Sequence, residues 1–121
     1  MLATGVDMIE VARIERGIAR HGDRFLKRFF TAQERDYCNG RVTSLAGRFA
    51  VKEAVSKALG TGIGDVSWQE IEVVCDERGK PELHLYHNAL TLAAKRGLTN
   101  WAISLSHTET HAIGFVVATG D

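Results

Sequence analysis

Two carboxylates and a lysine carry the first suggestion of chemistry in this chain. Glu53 and Lys57 stand four residues apart in FAVKEAVSKALGTGIG (residues 49–64), with Lys52 and Ser56 beside them, and the helical run ends in three alternating glycines. Asp7 lies far upstream, in MLATGVDMIE. One acid from each place suffices for a hard divalent cation, because magnesium takes one or two protein carboxylates and completes its shell with waters and substrate phosphate oxygens. Lys57, one helical turn beyond Glu53, would add positive charge beside such phosphates. Gly60, Gly62 and Gly64 let the backbone come close to a ligand, and a turn of exposed N–H groups suits phosphate oxygens. The arrangement is not a Walker P-loop, in which the glycines precede the helix. The plainer reading is a surface Glu–Lys pair, worth roughly 0.3 to 0.5 kcal/mol, followed by a glycine cap.

The histidines are less suggestive. His107 and His111 in SLSHTETH have an HxxxH spacing, and His84 with His87 an HxxH spacing, but neither pair sits on a predicted helix and no third ligand accompanies them. That disfavours zinc. His107 remains a phosphate contact or a structural histidine.

The elements that must position these residues follow from periodicity. Leu2 to Ile9 alternates as a strand, with Val6 and Met8 on one face and Asp7 on the other. Val11, Ile14 and Ile18 recur at helical spacing, with Arg13, Arg16 and Arg20 turned elsewhere. Phe25 with Phe29 and Leu26 with Phe30 suggest a second short helix, and Thr31-Ala-Gln-Glu34 has the form of a capping box for a third, ending before Gly40. Ser44 is the predicted cap of the long helix that carries Glu53, with Lys52, Glu53, Ser56 and Lys57 as its charged side and Gly60 as its stop. IEVVCDERGKPELHLY reads as a hairpin turning at residues 77–80. Asn88 is the predicted cap of a helix ending at Gly97, and WAISLSH with HAIGFVVAT forms a closing hairpin. The class expected is α+β, helices packed on an antiparallel sheet.

Composition supports one ordinary globular unit over residues 1–121, with 45% hydrophobic and 25% charged residues. There is one proline, no linker-like stretch and no internal repeat. The formal net charge is zero, which gives no global field for nucleic acid or membrane. Residues 1–60 nevertheless hold eleven Lys and Arg against seven acids, and residues 61–121 hold four against eight, so a basic half could face an anionic partner. Two distant cysteines, Cys38 and Cys75, and the lack of a leader or spanning segment point to a reduced, cytoplasmic setting.

Four stretches taken together resemble a known family: GVDMIEVARIE near the start, AGRFAVKEAVSKALGTGIG in the middle, GKP in the hairpin turn and SLSHT near the end. In order and over essentially the whole chain they are similar to the holo-[acyl-carrier-protein] synthases, the small bacterial type of 4′-phosphopantetheinyl transferase. The resemblance implies transfer of the 4′-phosphopantetheine arm of coenzyme A to a serine of apo acyl carrier protein, releasing adenosine 3′,5′-bisphosphate, in support of fatty acid biosynthesis.

It also implies roles. Asp7 and Glu53 match the magnesium ligands and Lys57 the lysine at the reacting phosphates. Arg48 and His107 match contacts to coenzyme A phosphates, with Ser56 assigned to the same coenzyme. Gly60, Thr61, Gly62 and Ile63, up to Gly64, and the turn Gly79-Lys80-Pro81 match the segments around its nucleotide end. Arg13, Arg20 and Arg24 match the basic surface that receives the acidic carrier, with Arg16, Lys27 and Arg28 as contributors. Gly17 departs from the family, where a larger apolar residue can serve that contact, and Asp23 dilutes the patch. The family's homotrimers, with sites between subunits, imply that His107 serves a neighbour's Asp7 and Glu53. The group that takes the serine proton stays open between Glu53, directly or through a metal-bound water, and Asp7 through a water. Two other classes use subsets of these residues: a divalent-metal phosphohydrolase and a noncatalytic coenzyme A binding protein.

Overall fold

Strand β1 (Leu2–Glu10) runs without a loop into helix α1 (Val11–His21), and α2 (Asp23–Phe29), α3 (Ala32–Cys38) and the long α4 (Val42–Leu59) follow. A 3-10 turn (Trp68–Glu70) precedes the hairpin of β2 (Ile71–Cys75) and β3 (Pro81–Leu85), after which come α5 (His87–Lys95), β4 (Asn100–His107) and β5 (His111–Thr119). This is a computed structural model, and it describes residues 1–120. The strands form an antiparallel sheet ordered β1-β5-β4 and a separate two-stranded sheet, β2-β3. The expected α+β class is the one observed.

Helix α4 is the axis of the core. Val51, Ala54, Val55 and Leu59 pack among Ile71, Val73, Val116 and Ala118, while Leu45, Ala46 and Phe49 pack among Ile9, Val11, Ile14 and Phe30. Two glycines set how near the sheet comes. A Cβ on Gly5 would run into the carbonyl oxygen of Ala54, and one on Gly114 would lie 2.5 Å from the amide nitrogen of Val51. Both strands therefore lie directly on the helix backbone. Asp7, paired in register with Gly114, is carried against α4 with them.

The alternation of β1 holds, and its apolar side points outward. Gly5 and Ile9 are buried, whereas Leu2, Val6 and Met8 are 69%, 49% and 66% exposed. Val6 pairs with Phe115 and Met8 with Ile113, both exposed, so the outer face of the sheet carries an apolar strip.

Three local expectations need correction. The capping box at Thr31 and Glu34 is present, but Ser44 does not cap α4, which starts at Val42 with Arg41 as its cap residue. Asn39 and Gly40, both at positive φ, turn the chain so sharply after α3 that the next helix begins at once. Asn88 lies inside α5, whose cap residue is Tyr86; the Glu70 carboxylate accepts from the Asn88 N–H at 2.7 Å and does the work of a cap from another element. The charged side of α4 is also divided. At about 100° per residue, positions 52 and 56 share one face and 53 and 57 another. Lys52 is fully buried in an ion pair with Glu34 at 2.6 Å and donates to the Trp68 carbonyl at 2.8 Å, and Ser56 is buried beside it. Glu53 and Lys57 alone reach the surface.

Candidate functional site

Lys57 joins helix to sheet. Its Nζ lies 2.9 Å from Asp7 Oδ1 and 3.0 Å from the Val6 carbonyl, with the Lys57 side chain 52% exposed and that of Asp7 20% exposed. Glu53 sits one turn earlier, half-buried, and its carboxyl is held above the usual range, first by burial and then by the negative charge of Asp7, against the opposing pull of Lys57 and Arg13. Asp7, Glu53 and Lys57 are thus brought together. Two mutually repelling carboxylates offer only hard oxygen donors, and among the described residues no three or more His, Cys, Asp or Glu are placed so that they could hold a metal ion together. The pair fits magnesium, which asks for no more than one or two protein carboxylates.

The glycine segment behaves differently from its sequence reading. Gly60, Gly62 and Gly64 all take positive φ, a conformation that favours glycine. The amides of Gly60, Thr61 and Gly62 nevertheless turn back onto the Ser56 carbonyl at 3.1, 3.3 and 3.3 Å, and Gly64 donates to Val66. These N–H groups close the end of α4 and do not form an open cradle. Ser56 is a brace for this end, its hydroxyl donating to the Glu53 carbonyl at 2.7 Å. Thr61 donates to the Gly62 carbonyl, and Ile63 packs on the core. A cation that the sequence did not single out, Arg96, stands next to Gly60, with its Nη1 3.7 Å from where a Cβ would be.

A second locus lies nearer the start of α4. Arg48, Cys75, Gly79, Pro81 and His107, with Tyr37, Arg41, Ser44 and Leu105, line a cleft of about 230 Å³. Asp76 shapes its rim: one carboxylate oxygen accepts from the amides of Arg78 and Lys80 at 2.8 and 2.9 Å, and Gly79 follows at φ 83. Lys80 is exposed on that turn. Arg48 is 3% exposed, lies 4.7 Å from the Tyr37 ring centre and donates to the Ser44 carbonyl and to Cys75 Sγ, both at 3.2 Å. Its Nε is buried with no hydrogen-bond partner. The structure therefore groups Arg48, Gly79, Pro81 and His107, but Asp7, Glu53, Lys57 and residues 60–63 are not among the walls of this cleft. Arg48 and the end of α4 are separated by roughly 16 Å of helix.

The basic face is also divided. Arg20 and Arg24 are exposed on α1 and α2, Arg24 beside a small hollow shared with His21, Phe25, Arg28 and Phe29. Arg13 is exposed as well, yet its guanidinium lies 5.6 Å from the Phe49 ring centre and its charge reaches Glu53. Gly17 is explained by packing, because a Cβ there would collide with the Phe25 ring. Phe25 thus packs closely on α1 at Gly17 and starts a run of ring contacts through Phe29 to Phe49 and Trp68.

The sequence profile of the 4′-phosphopantetheinyl transferase superfamily matches residues 3–116. The holo-[acyl-carrier-protein] synthase of Herpetosiphon aurantiacus is 45% identical over 127 aligned positions, covering 99% of this chain and 100% of that protein. The chain belongs to this family. The holo-[acyl-carrier-protein] synthase of Moorella thermoacetica is 47% identical, over 93% of this chain and 89% of the relative. Among solved structures, the Helicobacter pylori holo-[acyl-carrier-protein] synthase in complex with coenzyme A superposes with a TM-score of 0.88 at 33% identity, covering 96% of this chain and 99% of that one. The Neisseria meningitidis holo-[acyl-carrier-protein] synthase gives 0.88 at 35%, covering 97% of each chain. Membership in the holo-[acyl-carrier-protein] synthases thus extends over the whole fold, both loci included.

Proposed function

We propose that this chain transfers the 4′-phosphopantetheine group of coenzyme A to a serine of apo acyl carrier protein, releasing adenosine 3′,5′-bisphosphate, in support of fatty acid biosynthesis in the cytoplasm. The observation that carries the reading is the convergence of Asp7, Glu53 and Lys57 at the junction of β1 and α4. Asp7 and Glu53 would hold magnesium, which when bound supplies positive charge to the pyrophosphate. Lys57, anchored on Asp7 and half in solvent, can swing its ammonium onto the oxygens that lead to the departing nucleotide, where charge grows during transfer. The serine oxygen attacks the phosphorus bearing the pantetheine arm, and the bond to the nucleotide phosphate breaks. The serine proton goes to a carboxylate. Glu53 is better disposed to take it than Asp7, since Lys57 already occupies an Asp7 oxygen.

Arg48, His107 and the Gly79-Lys80-Pro81 turn hold the nucleotide phosphates, a role supported by the partnerless buried Nε of Arg48. In this reading residues 60–63 border the same ligand through their surface, with Ser56 acting from beneath. A homotrimer accounts for two features at once. Its subunit contacts would cover the apolar strip of Val6, Met8, Ile113 and Phe115, and they would bring the cleft of one subunit to the Asp7 and Glu53 of the next. Arg13, Arg20 and Arg24 receive the acidic carrier.

The test is chromatographic detection of adenosine 3′,5′-bisphosphate from coenzyme A and magnesium, with and without apo carrier. The transferase releases it only with the carrier. A phosphohydrolase would release nucleotide without carrier, and a coenzyme A binding protein would release none.

A further inference from the structure

The two cysteines occupy opposite environments. Cys38 is fully buried at the end of α3, and burial pushes its thiol from the usual 9.0 up to about 11. Cys75 is half-buried at the end of β2 and is part of the cleft wall, its sulfur accepting a hydrogen bond from Arg48 Nη2 at 3.2 Å. Arg41 and His107 line the same cleft, and Lys80 follows on the adjoining turn. A partly accessible sulfur in an electropositive recess is the setting in which cysteines react, whereas a thiol sealed in the core is inert. The recess also has a feature of a ligand site: Arg48 lines it and is 3% exposed, its two terminal nitrogens donate to the Ser44 carbonyl and to Cys75 Sγ, and its Nε is buried without a partner.

We propose that Cys75 is a covalent modification site, open to thiol–disulfide exchange with low-molecular-weight disulfides, and that its adduct closes the cleft to an adenine nucleotide. The second half rests on the reading of this cleft as the nucleotide pocket. In the exchange, the Cys75 sulfur attacks one sulfur of R–S–S–R, the reagent's S–S bond breaks, Cys75–S–S–R forms, and RSH leaves with the proton lost by Cys75. The group added lies where Arg48 Nη2 now meets the sulfur, so it obstructs the guanidinium and the space between it and His107. The exchange reverses with added thiol, which makes the site a brake and not an irreversible lesion.

The test treats the intact protein with bis(2-hydroxyethyl) disulfide and maps adducts by peptide mass, with and without adenosine 3′,5′-bisphosphate. The expected result is one hydroxyethylthio group on Cys75 and none on Cys38, slowed severalfold by the nucleotide. The Michaelis constant for coenzyme A should rise about tenfold, as for loss of one charge-assisted contact, and return to its starting value with dithiothreitol. Cys75→Ser should have the same activity before and after treatment. An unmodified Cys75, or Cys38 reacting equally fast, overturns the modification site. A Cys75 adduct that nucleotide does not slow and that leaves coenzyme A use unchanged overturns the blockade. If nucleotide is still released only with apo carrier in the untreated protein, that last failure lies with the cleft and not with the transferase reading.

Discussion

The ammonium of Lys57 rests 2.9 Å from the carboxylate of Asp7, on an element that lies fifty residues away in sequence. Gly5 makes this contact possible, because without its missing side chain β1 could not lie on the Ala54 carbonyl. The same approach puts the Asp7 charge on Glu53. These three residues should therefore fail in distinguishable ways. Asp7→Asn and Glu53→Gln should each lower transfer by roughly a hundredfold or more while far-UV circular dichroism stays native. Lys57→Ala should lower kcat more than it raises the Michaelis constant for coenzyme A, as expected of the proposed role on charge that develops during transfer. An effect of Lys57→Ala confined to the Michaelis constant would make Lys57 a simple binding residue.

The arginines of the basic face should not behave as a set. Arg20→Glu and Arg24→Glu should raise the Michaelis constant for the carrier, flatten its salt dependence and leave coenzyme A binding unchanged, as charges at a docking rim do. Arg13→Glu should in addition lower kcat, since Arg13 reaches Phe49 and its charge is felt at Glu53. Steady-state kinetics at two ionic strengths separate the cases. Equal effects on carrier and coenzyme A for Arg20→Glu would move the carrier's dock elsewhere.

Lys52 belongs to the frame. Its removal strands the Glu34 carboxylate, which also accepts from the amides of Thr31 and Val73 at 2.9 Å. Lys52→Met should cost about 3 to 5 kcal/mol in urea denaturation, the usual penalty for leaving half of a buried ion pair. A loss below about 1 kcal/mol, typical of an exposed pair, would mean that Lys52 is solvated in solution.

How far such residues could be read in advance depended on the range of the forces that place them. The capping box at Thr31 and Glu34 and the stop at Gly60 are local, and both were legible. Ser44 and Asn88 have the right type for a cap but not the position, because Arg41 and Tyr86 take those places and a distant carboxylate, Glu70, satisfies α5. Lys52 looked like part of an exposed charged side because its partner is on another helix. The glycine segment looked like an open nest, since the sequence does not reveal that its amides return to Ser56. Cys75 gave no local signal at all, being tied to Arg48 only through the packing of β2 on α4. Asp7 and Glu53 stand out in the sequence by type, but the approach of β1 to α4 that lets the Asp7 charge reach Glu53 depends on Gly5 and Gly114.

The proposal that His107 of one subunit serves Glu53 of its neighbour makes a prediction about mixtures. Glu53→Gln retains an intact His107, and His107→Ala retains an intact Glu53. Co-expressed and purified as mixed assemblies, the two weakened variants should be more active than either alone, because some junctions combine both native residues. Mixed assemblies no better than the average of the parents would place Glu53 and His107 in separate functions.

The most direct measurement is the intact mass of an apo acyl carrier protein after incubation with this chain, coenzyme A and magnesium. The account predicts that the carrier gains one phosphopantetheine group, that it does not gain it once the acceptor serine is replaced by alanine, and that the Glu53→Gln variant leaves most of the carrier unmodified at the same time point. An unchanged carrier mass with the wild-type chain, whether or not coenzyme A is consumed, would contradict it.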